Sequence, residues 1–203
     1  MPELVLDEMQ VRVLGCLLEK ERTVPDSYPM TLNGLVTACN QSSNRYPVVA
    51  YEAGDVQRCL DGLKDAGLVR FVHPSHGERT TKFRQVLDER LSLLPTEAAV
   101  LSVLFVRGAQ TVAEIRTRTE RLHRFDDNNE VDTTLRALEE RELVRNAGIR
   151  WTHVFDGADL SVGSGSVATT ATRSTSALEE RIAALEAKVE HLFSLLGEAP
   201  PTL

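Results

Sequence analysis

Two segments of the chain carry the same arrangement of apolar positions among polar ones. The first is Val56-x-x-x-Leu60-x-x-Leu63-x-x-x-x-Leu68-Val69 and the second is Val131-x-x-x-Leu135-x-x-Leu138-x-x-x-x-Leu143-Val144, displaced throughout by 75 residues. Steps of four and three place Val, Leu and Leu on one face of an α-helix. The closing Leu-Val lies beyond that helix and opens an extended run, Leu68-Val69-Arg70-Phe71-Val72 in the first copy. A short amphipathic helix that passes directly into a strand predicts the third helix of a winged helix, followed by its wing.

The flanking pattern supplies the other parts. Val11, Leu14, Leu17 and Leu18 predict a first helix with one buried face, with Asp7 as N-cap or first-turn acid. Pro25 and Pro29 hold the next connection out of helix, and Thr31 caps a second helix through Leu32, Leu35, Val36 and Cys39. A polar loop, Asn40-Gln41-Ser42-Ser43-Asn44-Arg45-Tyr46-Pro47, leads to the third helix, from about Glu52 to Ala66, with Gly67 as its stop. Strands Leu68–His73 and Arg79–Val86 then form the wing. The second unit repeats this order from Leu94-Pro95-Thr96-Glu97, with Val100, Val103 and Leu104 inward.

The two units are offset by 89 residues at the first helix, 80 at the second and 75 at the third. Unit one therefore carries nine extra residues before its second helix and five before its third. They fall in the Pro25–Pro29 connection and the Asn40–Pro47 loop, and insertions into a compact repeat are where specific function is sought. The loop's polar side chains suit helix caps and tight turns, and equally a phosphate or partner backbone met by Arg45.

Gly, Ser, Thr, Ala and Val dominate residues 157–176, which predicts a flexible linker spanning roughly 25 Å for its ~20 residues. Beyond it Leu178, Ile182, Leu185, Val189, Leu192 and Leu196 alternate steps of four and three. Mostly β-branched a positions with Leu at d favour a parallel two-stranded coil, so this seam predicts a homodimer; the alternative is a single helix docked on its own body. The expected fold is mainly α with small β wings (α+β). Its parts are a winged-helix domain over residues 1–89, a second over 90–156, the linker, and a coiled-coil helix over 177–197.

Composition narrows the function classes. Charged residues make up 26% of the chain and hydrophobic ones 42%, as in ordinary globular proteins. No apolar run approaches the roughly 20 residues of a membrane span, and the acidic N-terminus does not resemble a signal peptide, so the expectation is a cytoplasmic protein without membrane contact. Cys16, Cys39 and Cys59 each fall in a helical pattern, as buried reduced thiols do. His73 and His76 suit a turn between wing strands better than a zinc site. No nucleophile–base pairing, phosphate-binding Gly loop or metal-ligand spacing is present, and neither an enzyme nor a cofactor is expected.

The residues Val11 to Lys20, then Thr23, Pro25, Asp26, Tyr28 and Pro29, then Leu32 through Val48 with Asn40-Gln41-x-Ser43-Asn44-Arg45, resemble the YceH-like family of bacterial proteins. In the second half Arg107-Gly108-Ala109-Gln110-Thr111 and Glu114-Ile115-Arg116-x-Arg118 agree with it. The resemblance implies tandem winged helices in a bacterial cytoplasmic protein and brings no catalytic residue, ligand or partner. Tyr46 stands where that family often has an acidic residue.

Charge divides the candidate surfaces. Residues 1–90 carry 11 Lys and Arg against 13 Asp and Glu, and residues 91–155 carry 9 against 10, so neither unit has the basic excess of a simple DNA binder. The third helix of unit two is acidic, which sets it against a phosphate backbone. Cations gather on the first wing as Arg70, Arg79, Lys82 and Arg84, and around the second helix of unit two as Arg116, Arg118, Arg121 and Arg124. With Arg45 these form the candidate nucleic-acid contacts of a dimeric DNA-associated or regulatory protein. The alternative is a docking scaffold for proteins that uses Asp127, Glu130 and Asp132, without DNA.

Overall fold

The computed structural model describes residues 4–72 and 80–156, which belong to one compact unit. The expected linker and coiled-coil seam lie outside the described residues, as do His73, His76 and Arg79. The architecture is mainly helical, with two small antiparallel sheets.

Two helices form the centre, α1 (Glu8–Thr23) and α5 (Pro95–Arg107). The expected single buried face of each is corrected. Every residue from Val11 to Leu18 is buried, and every residue from Glu97 to Val106. The cause is that α1 packs on α5 along one side and on α2 (Leu32–Cys39) and α3 (Ala53–Asp65) along the other, while α5 also meets α6 (Val112–Thr119) and α7 (Asn128–Glu140). Gly15 sets the approach. A Cβ there would stand 2.6 Å from Cβ of Phe105 and 2.9 Å from Cγ1 of Val106, closer than a close-packed interior tolerates.

Local chemistry explains the boundaries. Asp7 caps α1 through the Gln10 amide at 2.8 Å, and the Gln10 side chain accepts from the Asp7 amide at 2.9 Å, a reciprocal capping box. Thr31 and Thr111 cap α2 and α6 in the same way, by accepting from the amides of Gly34 and Glu114. The third helix of each unit ends alike. Gly67 takes φ 69° and the Leu68 amide returns to the Leu63 carbonyl at 2.8 Å; Glu142 takes φ 57° and the Leu143 amide returns to Leu138 at 2.9 Å.

Strands β2 (Val69–Val72) and β3 (Lys82–Gln85) pair antiparallel, and β1 (Met30–Thr31) joins the far side of β3. Strands β4 (Val144–Ala147) and β5 (Arg150–His153) repeat the hairpin, with an isolated bridge from Gln110 to Trp151 in the place of β1. The registers correspond, since Val69 faces Gln85 and Val144 faces His153. Two elements have no pattern to announce them, the two-residue β1 and the short helix α4 (Leu87–Leu91), which seals the core with Leu87 and Leu91. At the other end the Leu6 amide donates to the Phe155 carbonyl at 2.7 Å, tying the start of unit one to the end of unit two. Among the described residues no helix is long and apolar enough to cross a membrane.

Candidate functional site

The Asn40–Pro47 loop is held to the core by two arginines from opposite directions. Arg12 lies on α1 between Val11 and Val13 and is buried; its guanidinium donates to the Pro47 carbonyl at 2.8 Å and to Cys39 at 3.4 Å. Arg45 reaches back from the loop. Its Nε donates to the Ala38 carbonyl and one Nη to its neighbour Asn44, each at 2.9 Å, while the guanidinium pairs with Glu19 of α1. The Arg12, Cys16 and Glu19 positions share one face of α1, the polar stripe against which the loop packs. Asn40 closes the loop's base by exchanging two hydrogen bonds with the Tyr51 backbone, at 2.8 and 2.9 Å.

Arg45 is therefore corrected as a surface contact. Only 5% of it is exposed, and its donors are taken by the fold. A buried guanidinium is tolerated because hydrogen bonds and a carboxylate offset its lost hydration. Cys16 and Cys39 lie beside it as buried free thiols, and the hydrogen bond with Cys16 together with burial pushes the Cys39 thiol well up. Burial pushes Cys59 up to about 12.

The clamped loop is laid against the end of α5. The Tyr46 amide donates to the Val106 carbonyl at 2.9 Å, and the Asn44 side-chain oxygen accepts from the Arg107 guanidinium. Asn44 reaches this position at φ 61°, a left-handed conformation that asparagine accepts more readily than most residues. The two strings that were distinctive in sequence, Asn40–Arg45 and Arg107–Thr111, thus meet in space. Within the second string Gln110 is buried, and its Nε2 donates to the carbonyls of Arg107 and Ala109 at 3.0 and 2.8 Å. Tyr46 is 74% exposed.

The remaining cations divide by partner. Arg70 and Arg84 share the Glu89 carboxylate, and Lys82 lies half-buried in β3. Arg116 donates to the Asp126 carbonyl at 2.7 Å, and Arg118 pairs with Glu114, which also takes Arg150 at 3.0 Å. Arg121 and Arg124 are exposed in the connection after α6. The candidate docking acids have local duties. Asp127 caps α7 through the Glu130 amide, Glu130 accepts from the Asp126 amide, and Asp132 pairs with Arg136. An ion pair missed in sequence, from the buried Glu97 to the exposed Arg141 at 2.7 Å, joins α5 to the end of α7.

These features define a class: a mainly helical α+β protein in which two similar helix-and-hairpin units share one core, with a polar loop of the first seated on the second. Residues 6–149 match the family described as "Protein of unknown function, DUF480", and the chain belongs to it. It is 43% identical over 201 residues to a UPF0502 protein of Geobacter sulfurreducens, covering 94% of this chain and 91% of that protein. Identity to the UPF0502 protein YceH of Escherichia fergusonii is 38% over 212 residues, covering 95% and 98%. A UPF0502 protein of Dechloromonas aromatica is 37% identical over 205 residues, covering 95% of each chain.

Proposed function

We propose that the chain is a non-enzymatic tandem winged-helix module that associates with DNA, as a cytoplasmic homodimer joined through its C-terminal helix. The observation that carries this reading is the run of guanidinium groups from the end of α5 to the start of α7: Arg107, Arg116, Arg118, Arg121 and Arg124. Within it Arg121 and Arg124 are exposed and supply phosphate neutralisation that the net charge of the chain does not, while Arg116 and Arg118 are already bonded to Asp126 and Glu114. The order of helices and hairpins in both units supports the winged-helix reading. The usual groove-reading helix is the poorer DNA contact here, because α3 and α7 carry Asp55, Asp61 and Asp65, and Asp132, Glu139 and Glu140. The first hairpin contributes less than its composition suggests, since Arg70 and Arg84 converge on Glu89.

Docking of a protein on Asp127, Glu130 and Asp132 remains the second reading, supported by the acidic surface of α7 and weakened by the local bonds of those acids. Fluorescence anisotropy of the full chain with random-sequence duplex DNA at two salt concentrations tests the choice. The DNA reading expects binding that weakens with salt and falls further in Arg121→Ala/Arg124→Ala. No binding at low salt overturns it and leaves the docking reading.

A further inference from the structure

The junction of the Asn40–Pro47 loop with α5 has a charge imbalance that the fold does not resolve. Four guanidinium groups, Arg45, Arg107, Arg118 and Arg150, are linked here through only two carboxylates, Glu19 and Glu114. Arg45 takes Glu19, and Arg118 and Arg150 divide Glu114. Arg107 is left with a neutral partner, the Asn44 side-chain oxygen, and among the described residues it has no carboxylate in ion-pair reach. Burial first, and then the positive charge of Arg118 and Arg45, lower Arg107 below the ordinary arginine value, against a smaller opposing effect of Glu19 and Glu114. An arriving anion would relieve that repulsion.

The backbone next to this cation carries an exposed aromatic residue. Tyr46 is held by its backbone to Val106, the residue before Arg107, and its side chain is 74% in solvent. Arg12, Arg45 and Asn40 fix the loop, so the backbone that carries Tyr46 and the Asn44 partner of Arg107 are placed before any ligand arrives. Preorganisation of this kind lowers the ordering cost of binding. A cation and an exposed aromatic side chain carried on adjoining, fixed backbone match one ligand chemistry well, a phosphate joined to a planar base.

We propose that Arg107, Asn44 and Tyr46 form a nucleoside-phosphate site, with phosphate on Arg107 and the base stacked on Tyr46, filled by single-stranded nucleic acid. The site rests on the DNA-associated reading and sharpens it. The run after α6 gathers the backbone of any nucleic acid, whereas Tyr46 selects strands whose bases are free to unstack.

The test is anisotropy of the full chain with an oligothymidylate, with duplex DNA of equal length, and with thymidine monophosphate as competitor. The expected result is tighter binding of the single strand, weakened about tenfold by Tyr46→Ala. Tyr46→Phe should retain it, and Arg107→Ala should flatten the salt slope by about 0.7, the release expected for one single-strand phosphate. Tyr46 has its side chain in solvent and its backbone bond intact, so that variant reads the site even where an Arg107 variant unfolds. Competition by the mononucleotide at low concentration would assign the site to a free nucleotide and overturn the single-strand source. Duplex binding with neither variant affecting the single strand overturns the site while the DNA reading stands. Binding to no nucleic acid removes both, and Arg107-dependent capture of oligoglutamate alone would give the surface to an acidic protein segment.

Discussion

The second and third helices of the two units are joined in opposite ways. In unit two the link from α6 to α7 is eight residues, Glu120–Asp127, that close by local bonds: the Leu122 and His123 amides return to Thr119, and Arg116 takes the Asp126 carbonyl. In unit one the corresponding link, Asn40–Glu52, is 13 residues. It is bonded to α1 through Arg12 and Arg45, closed across its own base from Asn40 to Tyr51, and bonded to α5 of the other unit through Tyr46 and Asn44. Five extra residues have turned a turn into a joint. The insertion is structural at its root and chemical at its tip, where Tyr46 is exposed and Asn44 meets the half-buried Arg107.

Removing the root should be far more damaging than removing a cation from the other connection. Arg45→Met deletes the pair with Glu19 and the bonds to Ala38 and Asn44, and should cost about 3 kcal/mol, because two carbonyls lose their donor and the half-buried Glu19 keeps only Lys20 as an ion-pair partner among the described residues. Arg124→Met, in the exposed connection of unit two, should stay within about 0.5 kcal/mol. Urea denaturation of both variants measures the difference, and equal midpoints would dissolve the contrast.

The helices that the joint spans come next in size. Gly15→Ala puts a methyl group into Phe105 and Val106, and overpacking there should cost about 2 kcal/mol. Its counterpart in α5 by the offset of 89 is Leu104, so the two first helices fit as a small residue beside bulky ones rather than as equals. Val106→Ala in the Gly15→Ala background should recover part of the loss, read as a rise in the thermal midpoint over the single variant.

A smaller effect separates the two hairpins by pH. Gln85 and His153 occupy equivalent register positions, and only His153 titrates. Burial against Phe105 and Phe155 lowers His153 below 6.5; the charge of Arg145 adds to this and Asp156 opposes it. A folded state that holds the proton more weakly than the unfolded state loses stability as pH falls through and below 6.5. Urea midpoints should therefore drop between pH 7 and pH 5, and His153→Gln should reduce that drop.

The smallest contrast lies at the helix stops. Glu142 occupies at φ 57° the left-handed position that Gly67 fills at φ 69°. Glu142→Gly should stabilise by about 0.5 kcal/mol, and Gly67→Ala should destabilise by about 1 kcal/mol. Paired thermal melts check the two signs.

Much of this was legible in residues that act locally. The Asp7, Thr31 and Gly67 signals concern bonds within five residues, and each element they bound stands where the pattern puts it. The site was less legible. Arg45 reads as a surface cation because its burial depends on Glu19, 26 residues away in sequence. Arg12 was hidden by its apolar neighbours, although its spacing to Cys16 and Glu19 along one helix face carried the signal. Arg107 was visible as a motif, yet its role depends on Asn44 arriving from 63 residues away. Contacts of that separation leave no periodic trace, and β1 is too short to leave one.

The loop is part of the shared core, and native-state hydrogen exchange at the Tyr46 amide tests that most directly. Bonded to Val106 and flanked by the Arg45 clamp, that amide should exchange only with global unfolding, at the rate of the α1 and α5 amides. Exchange as fast as an exposed connection such as Glu120–Asp127 would show that the loop opens on its own, and would contradict the account.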